Sequence, residues 1–319
     1  SALYILIHCI AIDHLLITTD IIVYSIQTMV SLITITLLLT TSYASVYPHT
    51  TSLISDSSTI KLNDNRHIPL FGLGVYRSRK GLETYNAVLT ALRMGYRHID
   101  TAERYENEED VGKAVRDFLK ESGLQRSHLW ITTKLWPNGR SYSDVRTALY
   151  NSLEKLGLDY VDLYLIHSPN DIKNRVDQWK ALVHAQQDGL AMSIGVSNYG
   201  THHLQEILDR SEVKPSVNQI ELSPFHPRTE LVDYCRSHNI IPEAYSPLTK
   251  GQKLVDPKVV ALSTKYGATP AQLLIQWCIQ KEFITIPKSV NPLRIKENID
   301  TLKRFDTSVD SDNVRRRVG

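Results

Sequence analysis

The chain has 319 residues, which is enough for one large α/β barrel or for two ordinary domains. Its 36 basic and 34 acidic residues give a formal net charge of +2, so it lacks the strongly basic field suited to nucleic acid, and a small molecule is the expected partner. The widely spaced cysteines Cys9, Cys235 and Cys278 indicate neither a disulfide framework nor a metal site, and they favour a reducing compartment.

The first 57 residues differ in composition from the rest. Residues 1–60 contain no Lys or Arg, and residues 21–55 contain no Asp or Glu either. Residues 21–39 are about long enough to span a bilayer, but polar residues recur there and no positive flank sets an orientation. A secretory signal beginning at Met29 would lack a basic n-region. Three interpretations stay open: an extension outside the fold, a membrane anchor or signal, and a folded part of the domain.

We favour the first interpretation. The folded domain is then expected at residues 58–305, with an atypical C-terminal tail at residues 306–319. A β-hairpin is predicted at its start, because Asn63, Asp64 and Asn65 separate two short alternating runs, and Asn and Asp tolerate the backbone of a tight turn. We expect this hairpin to plug the lower end of a barrel.

Strand and helix patterns then alternate. Short apolar runs predict strands at residues 70–75, 96–99, 129–134, 161–167, 191–196, 216–220, 240–244 and 283–286. Helices are predicted at residues 84–94, 108–121, 143–156, 175–188, 201–210, 228–237, 257–266, 270–280 and 292–302. Eight strands in βα order imply a parallel sheet, and closure into an α/β (β/α)8 TIM barrel is the economical arrangement.

Three of these strands end in an ionisable residue. Asp100 follows the run at 96–99, Lys134 ends the next run, and His167 ends the one after it, while Tyr105 lies in the loop behind Asp100. The C-terminal ends of barrel strands converge on the face that carries the chemistry. Any one of these residues alone could be an ordinary surface residue, but the four together predict a shared site.

The later strand ends offer amides, hydroxyls, an aromatic ring and cations: Ser197, Asn198, Gln219, Tyr245, Ser246, Lys288, Ser289 and Arg294. Such groups suit a carboxamide, a flat ring and a phosphate. Structural explanations exist for each one separately, since Asn198 could cap a helix, Tyr245 could belong to the core and Lys288 could be solvated.

Five motifs together resemble the aldo-keto reductases, from about Thr59 to about Leu302. They are GYRHIDTAERY at 95–105, TKLW at 133–136, LIHSP at 165–169, GVSNY at 195–199, and IPKS at 286–289 with Arg294. The resemblance implies an eight-stranded barrel and the NADPH-dependent reduction of an aldehyde or a ketone to an alcohol.

The resemblance also implies the roles of four residues. Tyr105 would donate a proton to the carbonyl oxygen, and the Lys134 ammonium would lower the pKa of that phenol. Asp100 would hold the lysine in place, and His167 would orient the substrate oxygen. Tyr76 and Trp136 match aromatic walls of the substrate pocket.

Eleven positions match the family's contacts to NADPH. Those at the nicotinamide are Ser197, Asn198, Gln219 and Tyr245. Those at the pyrophosphate are Ser246 and Leu248. Those at the adenosine 2′-phosphate are Lys288, Ser289 and Arg294, and those at the adenine are Glu297 and Asn298.

The chain departs from the family pattern at its end. Residues 306–319, with three consecutive arginines, do not look like the family's C-terminal loop, which closes over the substrate, so we expect an open pocket. The alternative function is a regulatory or sensor subunit that binds NADPH with little turnover. In that respect the chain would resemble the potassium-channel β subunits. We expect a cytoplasmic monomer, attached to a membrane only if residues 21–39 form an anchor.

Overall fold

The computed structural model describes residues 59–304, with side chains as far as residue 303. The predictions for residues 1–57, including the candidate span at 21–39, and for the tail at 306–319 lie outside the described residues. Within residues 59–304, no helix combines the length and the apolar character needed to cross a bilayer.

The described residues form a hairpin followed by alternating strands and helices. The hairpin strands are β1 (Thr59–Lys61) and β2 (His67–Pro69). Strands β3 to β10 are Leu73–Gly74, His98–Asp100, Trp130–Leu135, Val161–Ile166, Ala191–Ser197, Val217–Glu221, Ile241–Tyr245 and Ile284–Ile286. Helices α1 to α9 are Leu82–Arg93, Glu108–Ser122, Tyr142–Leu156, Arg175–Gln187, Thr201–Leu208, Thr229–Ser237, Pro257–Tyr266, Pro270–Gln280 and Pro292–Arg304.

The eight strands β3 to β10 pair in chain order, and every pairing is parallel. Backbone hydrogen bonds bring the two edges together, since Gly72 donates to the Thr285 carbonyl (3.0 Å) and Thr285 donates to the Leu70 carbonyl (2.8 Å). The predicted (β/α)8 barrel is therefore confirmed. All nine predicted helices are present within the described residues, with ends that shift by at most two residues.

The first barrel strand is shorter than the pattern predicts. The apolar run at 70–75 keeps only Leu73 and Gly74 in a regular ladder, and Phe71 makes an isolated bridge to Thr285. Just before β3 the backbone also comes close to the first residue of β4: a Cβ on Gly72 would lie 2.7 Å from the His98 ring. The missing side chain of Gly72 therefore permits this close approach.

Local signals explain where the helices begin and end. Ser141 accepts a hydrogen bond from the Asp144 amide at the start of α3, and Gly157 ends that helix with a left-handed φ of 62°. Thr269 caps α8 in the same way, directly before a proline in its first turn. Caps of this kind satisfy backbone groups that a helix leaves free at its ends.

The hairpin covers the N-terminal end of the barrel. Leu62 and Ile68 pack with Leu163, Val217 and other side chains inside the barrel. The turn between β1 and β2 is bonded to the starts of later strands: Ser216 Oγ donates to Asn63 Oδ1 (2.7 Å), and Ser193 Oγ donates to Asp64 Oδ2 (2.6 Å). A hairpin that closes the lower end agrees with the expectation from the sequence.

Candidate active site

An ion pair lies at the C-terminal ends of β4 and β5. The Lys134 side chain is completely buried, and its Nζ donates to Asp100 Oδ1 (2.6 Å) and to the Thr101 carbonyl (2.8 Å). The same ammonium lies 3.3 Å from the Tyr105 hydroxyl, which it can also reach as a donor. The structure thus brings together three of the four residues that were predicted to share a site.

His167 lies beside them, at the end of β6. Its ring meets the Tyr105 ring edge-on with 5.5 Å between centroids, and it meets the Trp136 ring at 5.4 Å. Burial lowers the pKa of His167 to about 3, and the positive charges of Lys134 and Arg104 act in the same direction. The imidazole is therefore neutral at neutral pH.

The pKa of Tyr105 corrects one expectation. Burial raises this pKa to about 12, while the Lys134 ammonium acts in the opposite direction with a smaller effect. The sequence predicts a lowered pKa because the motif reveals the nearby cation but not how deeply the phenol is buried. A phenol with this pKa keeps its proton at neutral pH.

Burial also affects both members of the ion pair. Burial is the largest single influence on the pKa of Lys134 and would lower it, but Asp100, Tyr105 and Glu243 together outweigh burial and the pKa is raised, so the lysine keeps its charge. Burial raises the pKa of Asp100, and the Lys134 ammonium and the Gln219 amide oppose that shift. Gln219 Nε2 donates to Asp100 Oδ2 at 2.8 Å. This amide, predicted as a carboxamide contact, is thus engaged with the aspartate.

A layer of polar side chains that the sequence patterns did not predict lies inside the barrel below the ion pair. His98 Nε2 lies 3.1 Å from Thr132 Oγ1 and 3.8 Å from Glu243 Oε1. Within residues 59–304 neither carboxyl oxygen of Glu243 forms a hydrogen bond of good geometry, although the Gln219 amide is near enough to oppose the rise of its pKa. Burial, with the Asp100 charge, raises the pKa of Glu243 to about 8, and burial, with the Lys134 charge, lowers the pKa of His98 to about 3. The available signal was an acid within the apolar run that forms β9.

The predicted nicotinamide contacts lie next to His167 on β7 and β9. Asn198 Nδ2 donates to the His167 carbonyl (2.9 Å), and the Tyr245 hydroxyl donates to Asn198 Oδ1 (2.8 Å). Ser197 Oγ donates to the Gln219 carbonyl (2.9 Å). Asn198 has a left-handed φ of 63°, a conformation that asparagine tolerates better than most residues.

The remaining predicted residues lie along the same cleft, whose volume is about 1040 Å³. The cleft is lined by every predicted cofactor residue and by the two predicted substrate walls: Ser197, Asn198, Gln219, Tyr245, Ser246, Leu248, Lys288, Ser289, Arg294, Glu297, Asn298, Tyr76 and Trp136. Asp100, Tyr105 and His167 also line it, whereas Lys134 lies beneath the surface.

The far end of the cleft suits an anionic group. Lys288 and Arg294 are exposed beside the N-terminus of α9, and neither forms an ion pair within the described residues. Asn298 is buried, and its Nδ2 has no hydrogen-bond partner within residues 59–304. Two exposed cations and an unpartnered amide suit a nucleotide with a phosphate at this end.

A model of the aldo/keto reductase family matches residues 73–312. The chain belongs to this family. Glyoxal reductase of Bacillus subtilis (strain 168) is 42% identical over 267 residues, which make up 82% of this chain and 95% of that protein. Methylglyoxal reductase DkgA of Escherichia coli (strain K12) is 44% identical over 264 residues, with 82% of this chain and 92% of that protein covered.

Solved structures of the family share the fold. An aldo/keto reductase from Brucella melitensis superposes with a TM-score of 0.73 at 43% identity, covering 78% of this chain and 94% of that chain. A Bombyx mori aldo-keto reductase in complex with NADP superposes with a TM-score of 0.71 at 38% identity, covering 76% and 87%. As a member of the family, this chain is an oxidoreductase that reduces aldehydes or ketones with a nicotinamide cofactor.

Proposed function

We propose that the protein is an NADPH-dependent carbonyl reductase in which Tyr105 is the proton donor. The observation that carries the proposal is the position of Lys134 Nζ, 2.6 Å from Asp100 Oδ1 and 3.3 Å from the Tyr105 hydroxyl at the bottom of the cleft. The chemistry that the nicotinamide supplies when bound is a hydride for the carbonyl carbon. The chain itself must supply a proton for the oxygen.

Proton transfer from Tyr105 leaves a phenolate beside a buried ammonium. The attraction between these two charges is stronger in a partly dehydrated cleft than in water, so Lys134 stabilises the product of the transfer. Asp100 keeps the ammonium in place. A positioned acid of this kind contributes about 10²–10⁴-fold to the rate.

His167 is proposed to act as a neutral hydrogen-bonding group. Because its pKa is about 3, the imidazole is uncharged at neutral pH and does not act as a cationic acid. The ring stands between Tyr105 and the Trp136 wall, so it can orient a carbonyl oxygen toward the tyrosine hydroxyl. Tyr76 and Trp136 are proposed to form the walls of the substrate pocket.

NADPH is proposed as the cofactor, in preference to NADH. Lys288, Ser289 and Arg294 line the end of the cleft beside the N-terminus of α9, where the helix dipole and the cations attract a phosphate. The residues proposed to hold the nicotinamide are Ser197, Asn198, Gln219 and Tyr245. Ser246 and Leu248 are proposed at the pyrophosphate, and Glu297 and Asn298 at the adenine.

Small reactive carbonyl compounds are the first substrates to test, since relatives of the chain are named for glyoxal and methylglyoxal. NADPH absorbance at 340 nm would be followed with the purified full-length chain and a panel of aldehydes and ketones that includes both compounds. Steady turnover supports the reductase. Tight NADPH binding without turnover of any carbonyl would favour the sensor alternative.

A cytoplasmic monomer remains our proposal for the form in which the enzyme acts. Cys235 and Cys278 support a reducing compartment, because both are buried as free thiols. Light scattering after size-exclusion chromatography would measure the mass of the particle, and fractionation of cells would locate it.

A further inference from the structure

Two arginines stand at the substrate end of the cleft, apart from the cations at the cofactor end. Arg77 follows Tyr76 in the loop after β3, and Arg104 directly precedes Tyr105 in the loop after β4. Both line the cleft, and both loops lie at the C-terminal mouth of the barrel. We propose that these two guanidinium groups bind a carboxylate on the substrate, so that the substrate class is carbonyl compounds that also carry a carboxylate. This inference rests on the proposed reductase function.

Each guanidinium is placed by an aromatic wall. The Arg77 guanidinium carbon lies 5.3 Å from the Tyr76 ring centroid, and that of Arg104 lies 5.2 Å from the Trp136 ring centroid. Stacking of this kind holds the planar cation on the ring and leaves its N–H edges free. The same two rings also contact the proposed catalytic residues. The Tyr76 and Tyr105 ring centroids are 5.0 Å apart, and the Trp136 and His167 ring centroids are 5.4 Å apart.

Neither guanidinium has an acidic partner within residues 59–304, whereas neighbouring arginines do. Arg79 pairs with Glu83 at 2.7 Å, and Arg140 pairs with Glu103. Within the described residues, Arg77 and Arg104 thus keep their charge at the cleft without an ion pair, unlike Arg79 and Arg140. Because no ion pair occupies them, the N–H groups of each guanidinium are available to a carboxylate from solution.

The acidic side chains that line the cleft do not cancel this charge. Asp100 is bonded to Lys134, and Glu221 lies 3.7 Å from Lys250. The third, Glu297, lies on α9 at the end proposed for the adenosine. The charge of Arg104 extends to the reacting groups, because it contributes to the lowered pKa of His167. The substrate end is therefore positive, which favours an anionic ligand.

The test compares two aldehydes that differ in charge, 4-carboxybenzaldehyde and methyl 4-formylbenzoate, at saturating NADPH. The quantity measured is the ratio of kcat/KM for the acid to kcat/KM for the ester. Intrinsic reactivity cancels when this ratio in a variant is divided by the ratio in the parent. Arg104→Met and Arg77→Met keep the approximate length of the side chain and remove its charge, and Arg104→Lys restores the charge.

We expect each Met variant to lower the ratio by about three- to tenfold, and the double variant to lower it further. Arg104→Lys should keep most of the preference. Arg210→Met, which removes an exposed arginine of the outer ring, is the matched control and should leave the ratio unchanged. In the parent, added salt should lower the ratio, because it screens the charge on the acid and not on the ester.

Turnover of the neutral ester by each variant shows that the preparation is folded and active. A ratio that stays within about twofold of the parent in both Met variants, and that does not respond to salt, would overturn carboxylate recognition while leaving the reductase function intact. Failure of the parent to reduce either aldehyde or any member of the wider panel would overturn the reductase function itself, and this inference with it.

Discussion

The two ends of the cleft differ in how far they are organised before a ligand binds. At the catalytic end, the Lys134 and Asp100 side chains are 0% and 3% exposed, and the ammonium has three partners within hydrogen-bonding reach. At the adenosine end, Arg294 and Lys288 are exposed. Groups that are already fixed act on the reacting atoms without reorganisation, whereas solvated groups gain their contacts only when a ligand arrives. We therefore expect changes at the first end to lower kcat, and changes at the second end to weaken cofactor binding.

The largest effect is expected for Tyr105→Phe. It should lower kcat by about 10²–10⁴-fold, because the proton donor is lost while the ring remains. The dissociation constant for NADPH, measured by fluorescence titration, should hardly change. Tyr150→Phe, at an exposed position on α3, is the matched control. Equal turnover by the Tyr105 variant and the parent would remove Tyr105 from its proposed role.

A pH-dependent effect on stability is expected at Glu243, below the ion pair. Its folded-state pKa of about 8 lies above its ordinary value of 4.5, so the folded protein keeps a proton that the unfolded chain releases. Glu243 therefore destabilises the fold increasingly as the pH rises from about 4.5 to about 8, and the effect levels off above that. The penalty is on the order of a few kcal/mol.

Glu243→Gln should remove this penalty. Urea denaturation at pH 5 and pH 8 would measure the free energy of unfolding of the parent and of the variant. We expect the parent to lose more stability than the variant between these two values. If the parent and the variant lost the same free energy of unfolding, Glu243 would not titrate in this pH range.

Arg294→Ala tests the exposed end of the cleft. It should raise the dissociation constant for NADPH by roughly ten- to several-hundredfold, because it removes a charged hydrogen bond to the 2′-phosphate. Binding of NADH, which has a hydroxyl there, should hardly change. Lys296→Ala is the matched control, since Lys296 lies on the same helix and pairs with Asp300. Fluorescence titration of both cofactors decides the matter, and an equal loss for both would contradict the assignment of Arg294.

The smallest effect is expected for deletion of residues 1–57, which should change neither end of the cleft. The hairpin that begins at Thr59 already closes the barrel through Leu62 and Ile68. Circular dichroism and the turnover number of the shortened chain should therefore match those of the full chain. Loss of folding would show that the extension belongs to the domain.

Much of this architecture could be predicted from the sequence because the responsible signals are local. Apolar periodicity and capping residues such as Ser141 and Gly157 position the helices, and parallel order alone implies that Asp100, Lys134 and His167 end at one face. The length of β3 was not predictable, because residues 70–72 meet β10 through single hydrogen bonds and an isolated bridge to Thr285, a partner more than 200 positions later in the chain.

The balance of forces at the site was also out of reach of the sequence. A motif shows that Lys134 accompanies Tyr105, but the depth of burial decides which way the phenol's pKa moves, and burial emerges only in the folded barrel. Glu243 illustrates the same limit. Its carboxyl group faces His98, which lies 145 positions earlier in the chain, and strand periodicity does not reveal such a neighbour.

The buried pair of Lys134 and Asp100 also restricts how this protein can evolve. Loss of either residue alone leaves an uncompensated charge in the barrel, which typically costs about 3–5 kcal/mol, a large part of a domain's total stability. Exchange of both for apolar residues has no such penalty, but it needs two simultaneous mutations. Tyr105 is under no comparable restriction. A descendant protein that binds the cofactor without catalysing the reaction would therefore be expected to lose Tyr105 first and to retain the Lys134–Asp100 ion pair.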